Sequence, residues 1–386
     1  MTPHFDREAF ARDLDEFRAR VLLELGPEDL AHLRRMERWG RLCSAAGWAG
    51  AWIAPNPVSA LLLAQGRTSR WAMVAHHVLH RGYDRVPGVQ ASRTSKGFAR
   101  GWRRLLDWND WIDPEAWSFE HNQQHHYRLG EEADPDYVEL NLDWLRGAKW
   151  PAAVKLVVVA LFATTWKWTY YAPNTFRHLR GRRGVKAAER AALEPLASMF
   201  IQPSFLRRCL LPYATVQFLL VPLLFAPLGL WAAFSVLCNS LLAELITNLH
   251  SFLVITTNHV GEDIYAFEGK PADRGEFYLR QVIGSTNFAT GGDFNDFLHG
   301  WLNYQIEHHL FPDLPMSQYQ RIQPEVKRLC EKHGVPYVQE SVWKRLAKTL
   351  AVMTGGKDML RLPVAPDEED VSVVAPLADG SVVTAG

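Results

Sequence analysis

Between Arg207 and His259 the chain offers two apolar runs, Leu210–Phe225 and Leu228–Leu249, with Pro227 and Gly229 marking a turn between them. A bilayer hydrocarbon core of about 30 Å takes roughly twenty apolar residues of helix. This pair therefore reads as a helical hairpin through a membrane. That fixes the fold class, because a spanning chain must satisfy its backbone internally. The expectation is an all-α integral-membrane protein. The second run also carries Glu244, Asn248 and His250 on its later turns. Polar groups at membrane depth are functional candidates, unless the helix has already left the hydrocarbon there.

Two further apolar stretches are ambiguous. Cys43–Gln65 contains Pro55-Asn56-Pro57, so it is either one span or two half-embedded helices meeting at the proline turn. Pro151–Pro173 has the length of a span. However, Arg93, Lys96, Arg100, Arg103 and Arg104 precede it, and Arg177, Arg180, Arg182, Arg183, Lys186 and Arg190 follow it. Basic residues favour the cytoplasmic side, and a single crossing would put one group outside. With Trp166, Trp168, Tyr170 and Tyr171, the segment is expected to lie in the interface. The domain plan is then residues 1–42 as amphipathic cytoplasmic helices broken near Gly26-Pro27, and 43–345 as the membrane domain. Its spans fall near 43–65, 209–226 and 228–250, with an interfacial helix at 151–173. Residues 346–386 form a C-terminal extension, low in packing residues from about 363 and expected to be disordered. One helix is expected near Gln318–His333.

Composition narrows the function classes. The 42 basic and 42 acidic side chains balance, so no polyanion such as nucleic acid is indicated as a partner. The four cysteines, Cys43, Cys209, Cys238 and Cys330, form no CxxC pair, which argues against a zinc ribbon, a rubredoxin-like site or a disulfide scaffold. The charged N-terminus has no apolar core of a cleaved signal peptide.

Three histidine groups carry the chemistry: His76-His77-Val78-Leu79-His80, His121-Asn122-Gln123-Gln124-His125-His126 and Gln305-Ile306-Glu307-His308-His309. Positions i, i+3 and i+4 share a helix face, so each group can aim two or three imidazoles at one point. A single HxxxH is commonplace in packed helices. Three groups on polar segments beside apolar ones are not. Imidazole suits iron, zinc and copper, and one zinc needs only three or four ligands, so this many rings suggest two metals. The Glu and Glu-x-x-His set of carboxylate-bridged di-iron bundles is missing. An imidazole-rich iron pair, able to use O2 against an unactivated C–H bond, is the expectation.

The run Asn303-Tyr304-Gln305-Ile306-Glu307-His308-His309-Leu310-Phe311-Pro312 resembles the third histidine box of membrane fatty acid desaturases, and Gln305 makes it similar to the front-end acyl-lipid branch. Arg280-Gln281, Thr286-Asn287-Phe288, Trp301, Asp134-Pro135-Asp136 and His259 in Asn258-His259-Val260-Gly261-Glu262-Asp263 fit the same family. The resemblance extends over residues 40–340. It implies about four transmembrane helices in a multi-pass protein, with a cytoplasmic helical cap around the site. It also implies two iron ions, O2 as co-substrate, and an acyl-lipid or acyl-CoA substrate that gains a C=C bond. His76, His80, His121, His125, His126, His259, His308 and His309 become iron ligands by the same inference. Gln305 stands at a ligand position, to coordinate weakly or through water. His77 is an alternative to His76. Glu120, Glu307 and Asp84 are candidates to orient the rings. His250 and His299 are weaker site candidates, and His4, His32, His178 and His333 are expected at the surface.

This sequence also departs from the family. Position 77 is His where the first box usually has Asp, Arg67 and Arg70 precede that box, and Trp301 falls where glycine is common. There is no His-Pro-Gly-Gly haem motif of a fused cytochrome b5 domain and no Gly-rich dinucleotide fingerprint. A separate ferredoxin or cytochrome b5 with its reductase is therefore expected to deliver electrons, steered by basic residues among Arg93, Arg100, Arg103, Arg104, Arg180, Arg182 and Arg183. The alternatives are a membrane di-iron hydroxylase acting on a lipid and a non-catalytic metal-binding or transport protein.

Overall fold

The computed structural model describes residues 5–182, 184, 186 and 191–362; His4, Arg183, Arg190 and the tail from 363 lie outside the described residues. It is mostly helical. Helix α1 (Arg7–Leu23) starts where the Asp6 carboxylate accepts from Ala9 N at 2.9 Å, satisfying one orphan amide of the first turn. Its Phe10, Leu14, Phe17 and Val21 face the core, as their helical spacing predicts. The chain breaks at Gly26-Pro27, and α2 (Pro27–Ala51) begins with proline in the first turn, where a missing N–H costs nothing.

Helix α2 stops at Ala51 and α3 (Pro57–Thr68) starts beyond the proline turn, capped by Asn56. Residues 43–65 are therefore two arms of a hairpin, not one straight helix. The arms pack closely because Gly40 and Gly66 lack side chains: a Cβ at Gly40 would collide with Ser69 Oγ, and one at Gly66 with Ser44 Oγ. Helix α3 continues through a π-helical segment, Ser69–Ala75, into α4 (His76–Leu79), and α5 (Pro114–Glu120) runs into a second, His121–His125. Wide π turns are rare and frequent at functional sites. Here they feed directly into the first two histidine groups, where ordinary α spacing was expected for the second.

Helix α6 (Ala152–Ala163) is followed by α7 (Lys167–Gly181), bent from it by 74°, so Pro151–Pro173 is not one straight rod. Next come α8 (Pro203–Leu228) and α9 (Leu230–Asn258), of mean hydropathy 1.9 and 1.6, joined at Gly229 with φ +113°. These two helices are long and apolar enough to cross a membrane, and the bent pair makes a third if it counts as one span. The tip of the first hairpin packs on the first turns of α9, which lead away from the second hairpin's tip at Gly229. Asn239 of α9 donates to Ala51 O and Ala54 O and accepts from Asn56 N, and Trp231 Nε1 donates to Ile53 O, all at 2.9 Å.

Glu244 lies in α9 about 20 Å of helix rise from that tip. It is buried and accepts from Trp111 Nε1 at 2.7 Å, Tyr213 Oη at 2.5 Å and Arg67 Nη1 at 3.2 Å. Arg67, out of place in an apolar helix, thus finds its counter-charge on the neighbouring one. Beside this cluster Lys167 Nζ binds Asp110 at 2.6 Å and lies 4.6 Å from the centre of the Trp71 ring. These buried polar groups are partnered, as a low-dielectric interior requires.

The remaining elements close over the end of the helices that bears the histidines. They are α10 (Arg274–Ile283), α11 (Gln305–Leu310), α12 (Met316–Lys332) and α13 (Val342–Met353). Four short strands pair in parallel twos, β1 (Tyr265–Phe267) with β4 (Leu360–Leu362) and β2 (Asn287–Phe288) with β3 (Gln339–Glu340). Helix α12 matches the one expected near Gln318–His333; α13 had no separate expectation, and it spans residue 345. Its Arg345 is fully buried and donates to Val260 O at 3.0 Å and to both oxygens of Asp263 at 2.6 and 2.8 Å, pinning the loop that carries His259.

Candidate metal centre

Four elements supply the imidazoles: α4, the π segment after α5, the loop after α9, and α11. The rings form two groups. His76, His80, His121 and His308 bring one ligand nitrogen each within 4.8 Å of one another, and so do His125, His259 and His309. His126 lies between the groups, its ring centre 4.4 Å from that of His80 and stacked on His309 at 4.2 Å. Gln305 joins the second group: its amide donates to His259 Nε2 at 2.9 Å, which leaves Gln305 Oε1 buried with no partner. All nine sequence-predicted site residues therefore converge.

A metal is what these donors fit. Ring nitrogens of His80, His121, His126 and His309 are buried without any hydrogen-bond partner, an arrangement that costs free energy unless something accepts their lone pairs. His76 Nε2 and His308 Nε2 stand 2.8 Å apart, close to the roughly 3 Å between adjacent corners of a sphere with metal–nitrogen bonds of about 2.1 Å. Burial, reinforced by neighbouring imidazoles, pushes His121, His126, His308 and His309 well below the ordinary histidine range. Burial also takes His259 down to about 3. Neutral rings are the metal-binding form.

His125 is the exception. Burial lowers it too, but the Asp134 carboxylate, 2.9 Å from Nδ1, outweighs that and raises it. Asp134 is itself held by Gly130 N and Asp136 N, both at 2.9 Å. A carboxylate–imidazole pair fixes the tautomer and ring orientation. The other outer contacts are Gly284 O to His259 Nδ1 at 3.1 Å, Gln281 Oε1 to His309 Nδ1 at 3.0 Å and Tyr319 Oη to His308 Nδ1 at 3.2 Å. Trp117 closes one wall, stacked on His121 at 4.6 Å.

The carboxylates expected to orient the rings do not. Glu307 is engaged by Tyr337 and Asn287 at 2.7 and 2.8 Å, and Asp84 by Ser95 N and Oγ. Both oxygens of Glu120 are buried without a partner. Glu120 and Glu307 each stand next to a site histidine in sequence, and neighbouring positions point about 100° apart on a helix; Asp84 lies four residues past His80, beyond the end of α4. His77 bonds Met73 O at 2.7 Å and joins neither group. His250 bonds Leu298 O and His299 bonds Asn295 O, both structural. His32 is not at the surface: it is buried, 4.6 Å from Trp301 in an edge-on contact, because the face of α2 that carries it packs under the third box. His178 and His333 are half-buried.

Residues 46–341 match the model of a family described as fatty acid desaturase. An NADPH-dependent stearoyl-CoA 9-desaturase of Mycobacterium tuberculosis is 27% identical over 89% of this chain and 80% of its own length. A Delta(8)-fatty-acid desaturase of Arabidopsis thaliana is 33% identical over 25% of this chain and 20% of its own. An acyl-lipid (9-3)-desaturase of Physcomitrium patens is 34% identical over 28% and 20% respectively.

Proposed function

The chain belongs to the fatty acid desaturase family, and on that premise we propose that it is an O2-dependent desaturase whose nine residues, His76, His80, His121, His125, His126, His259, Gln305, His308 and His309, hold two irons. The supporting observation is the division of seven imidazoles, six buried and that of His259 half-buried, into two separate groups, with His126 between them. Bound irons would supply the O2 chemistry that breaks an unactivated C–H bond, which no side chain can do alone. Overall, –CH2–CH2– + O2 + 2 electrons + 2 H+ becomes –CH=CH– + 2 H2O.

The protein's part is positional. Asp134, Gln281, Tyr319 and the Gly284 carbonyl each fix one ring, and Trp108 and Trp117, both buried, keep water from the histidine wall. The substrate is the acyl chain of a lipid or of acyl-CoA, the relatives' names supporting both. The two hairpins form four membrane arms, and the helices beyond them form a cap on the cytoplasmic side. The bent pair α6–α7 lies in the interface. The ion pairs of Glu115 with both Arg182 and Arg208, at 2.6 and 2.8 Å, support this by joining the basic segment after α7 to the start of α8.

Purified protein should carry close to two irons, and cells expressing it should accumulate new unsaturated acyl chains. His125→Ala and His308→Ala should each lose activity yet still insert in the membrane. Hydroxylated chains in place of alkenes, or a protein loaded only with zinc and inert to O2, would refute the proposal.

A further inference from the structure

The first hairpin is apolar for only part of its length. Helix α2 turns from Arg34-Arg35…Arg38…Arg41 to Leu42-Cys43, and Arg41 stands ten residues before Ala51, about 15 Å from the tip by helix rise. That tip rests on α9 between Trp231 and Asn239, short of the α8–α9 tip, and Arg38 and Arg34 lie about 5 and 10 Å beyond Arg41 by helix rise, so on the membrane reading given above the arginines fall toward the cytoplasmic edge of a 30 Å hydrocarbon core. Unpaired guanidiniums there stand at the depth of anionic lipid headgroups, which they attract.

A cavity of about 340 Å³ opens at this level between α2 and the segment around Gly88–Arg93, lined by Arg34, Arg38, Arg41, Arg93 and Glu37. Glu37 is spoken for. It is buried and takes Arg93 at 2.8 Å, with Arg70 at 3.7 Å and Arg41 at 3.9 Å. Arg34 and Arg38 are exposed and have no carboxylate partner among the described residues. The cavity thus has one carboxylate, already shared by three guanidiniums, and two further arginines with nothing to neutralise them. Below it, Leu42 and Ile53 are 60% exposed, a surface for lipid tails.

We propose that this cavity seats the phosphate ester of a bilayer phospholipid, held by Arg34, Arg38 and Arg41 while its acyl chains run along the exposed face of the hairpin. Guanidinium forks match phosphate oxygens two at a time, and the surplus positive charge at the cavity mouth favours an anion over a neutral sugar headgroup.

The test is binding to the purified full chain, read by native mass spectrometry. Phosphatidylglycerol and a neutral digalactosyl diacylglycerol serve as lipid probes, and 3′,5′-ADP as a soluble phosphate ester. Phosphatidylglycerol should be retained in preference to the galactolipid, and R34Q/R38Q should weaken it about thirtyfold without altering the melting temperature, at roughly 1 kcal/mol for each basic residue. Wild-type retention should also fall with rising salt, a readout that needs no variant. Equal retention of the two lipids, an unchanged R34Q/R38Q, or binding of 3′,5′-ADP alone would each overturn the proposal. No turnover enters the assay, so these failures leave the desaturase reading standing. Retention of neither lipid would overturn the proposal together with the membrane reading.

Discussion

Asp134 holds the His125 ring with one oxygen and ties down the following turn with both, through Gly130 N and Asp136 N. Asp134→Asn keeps the shape but removes the charge that favours a proton on Nδ1 and frees Nε2 for a metal. Outer partners of this kind are worth roughly 10–100-fold in affinity or rate. Asp134→Asn should therefore lose its metal to a chelator at least tenfold more readily than wild type, with a parallel loss of turnover. Asp84→Asn, whose carboxylate serves only Ser95, should match wild type in both, and equal metal retention in the two variants would refute the positioning role. Eight of the nine proposed ligands are legible because they repeat at three to five residues, whereas His259 stands alone and is reached only through the family resemblance. Gln281 and Tyr319 are not, being 28 and 11 residues from the rings they hold: nothing local in the sequence couples a residue to a ring that only the tertiary fold brings near.

At the scale of helices, Arg67 and Glu244 show what apolar patterning leaves out. The α8–α9 hairpin could be read from hydropathy alone, and the break at Pro55-Asn56-Pro57 from the prolines. That Arg67 of one hairpin neutralises Glu244 of the other could not, since 177 residues separate them. Glu244→Gln should strand the guanidinium in a buried site and cost about 3–5 kcal/mol. Arg67→Met added to it should restore most of the loss, because replacing both partners is far cheaper than orphaning one. Unfolding in detergent measures the coupling, and strict additivity of the two changes would rule out a direct pair. Elsewhere, Asp13 of α1 binds Lys332 and His333 at the end of α12. Hydrogen bonding to Lys332 and then His333 lowers Asp13 from 3.8 to about 2. A depressed carboxylate stabilises the fold above its unfolded value, and the contribution fades as pH falls from about 4 through 2. Asp13→Asn should thus melt earlier than wild type at pH 6, by less than about 1 kcal/mol for so exposed a pair. The gap should close near pH 2, and a gap that widened on acidification would contradict the sign.

At the scale of the whole molecule, the proposed O2 chemistry must be supplied with electrons. Each turnover needs two, and the sequence holds no haem motif, CxxC pair or dinucleotide fingerprint to carry them. The mycobacterial relative is named NADPH-dependent. The expected steering surface, however, is largely spent within the fold. Arg93 pairs with Glu37, Arg103 with Asp107, Arg104 with Asp113, Arg180 with Glu194 and Arg182 with Glu115. Arg100 alone among the described members has no carboxylate partner. Sequence shows that basic residues cluster; it does not show that acids from distant segments meet them, so the apparent charge of the patch exceeds its real one. Long-range attraction scales with net charge and is screened beyond about 10 Å at 0.1 M salt. Purified enzyme with NADPH and O2 should therefore give no product until a ferredoxin or cytochrome b5 system is added. Once it is, turnover at subsaturating carrier should change less than about threefold between 0.05 and 0.3 M salt, where a surface with all these arginines free would lose far more. Robust activity without a carrier would refute the first part. A steep fall with salt would show that unpaired arginines steer the carrier after all.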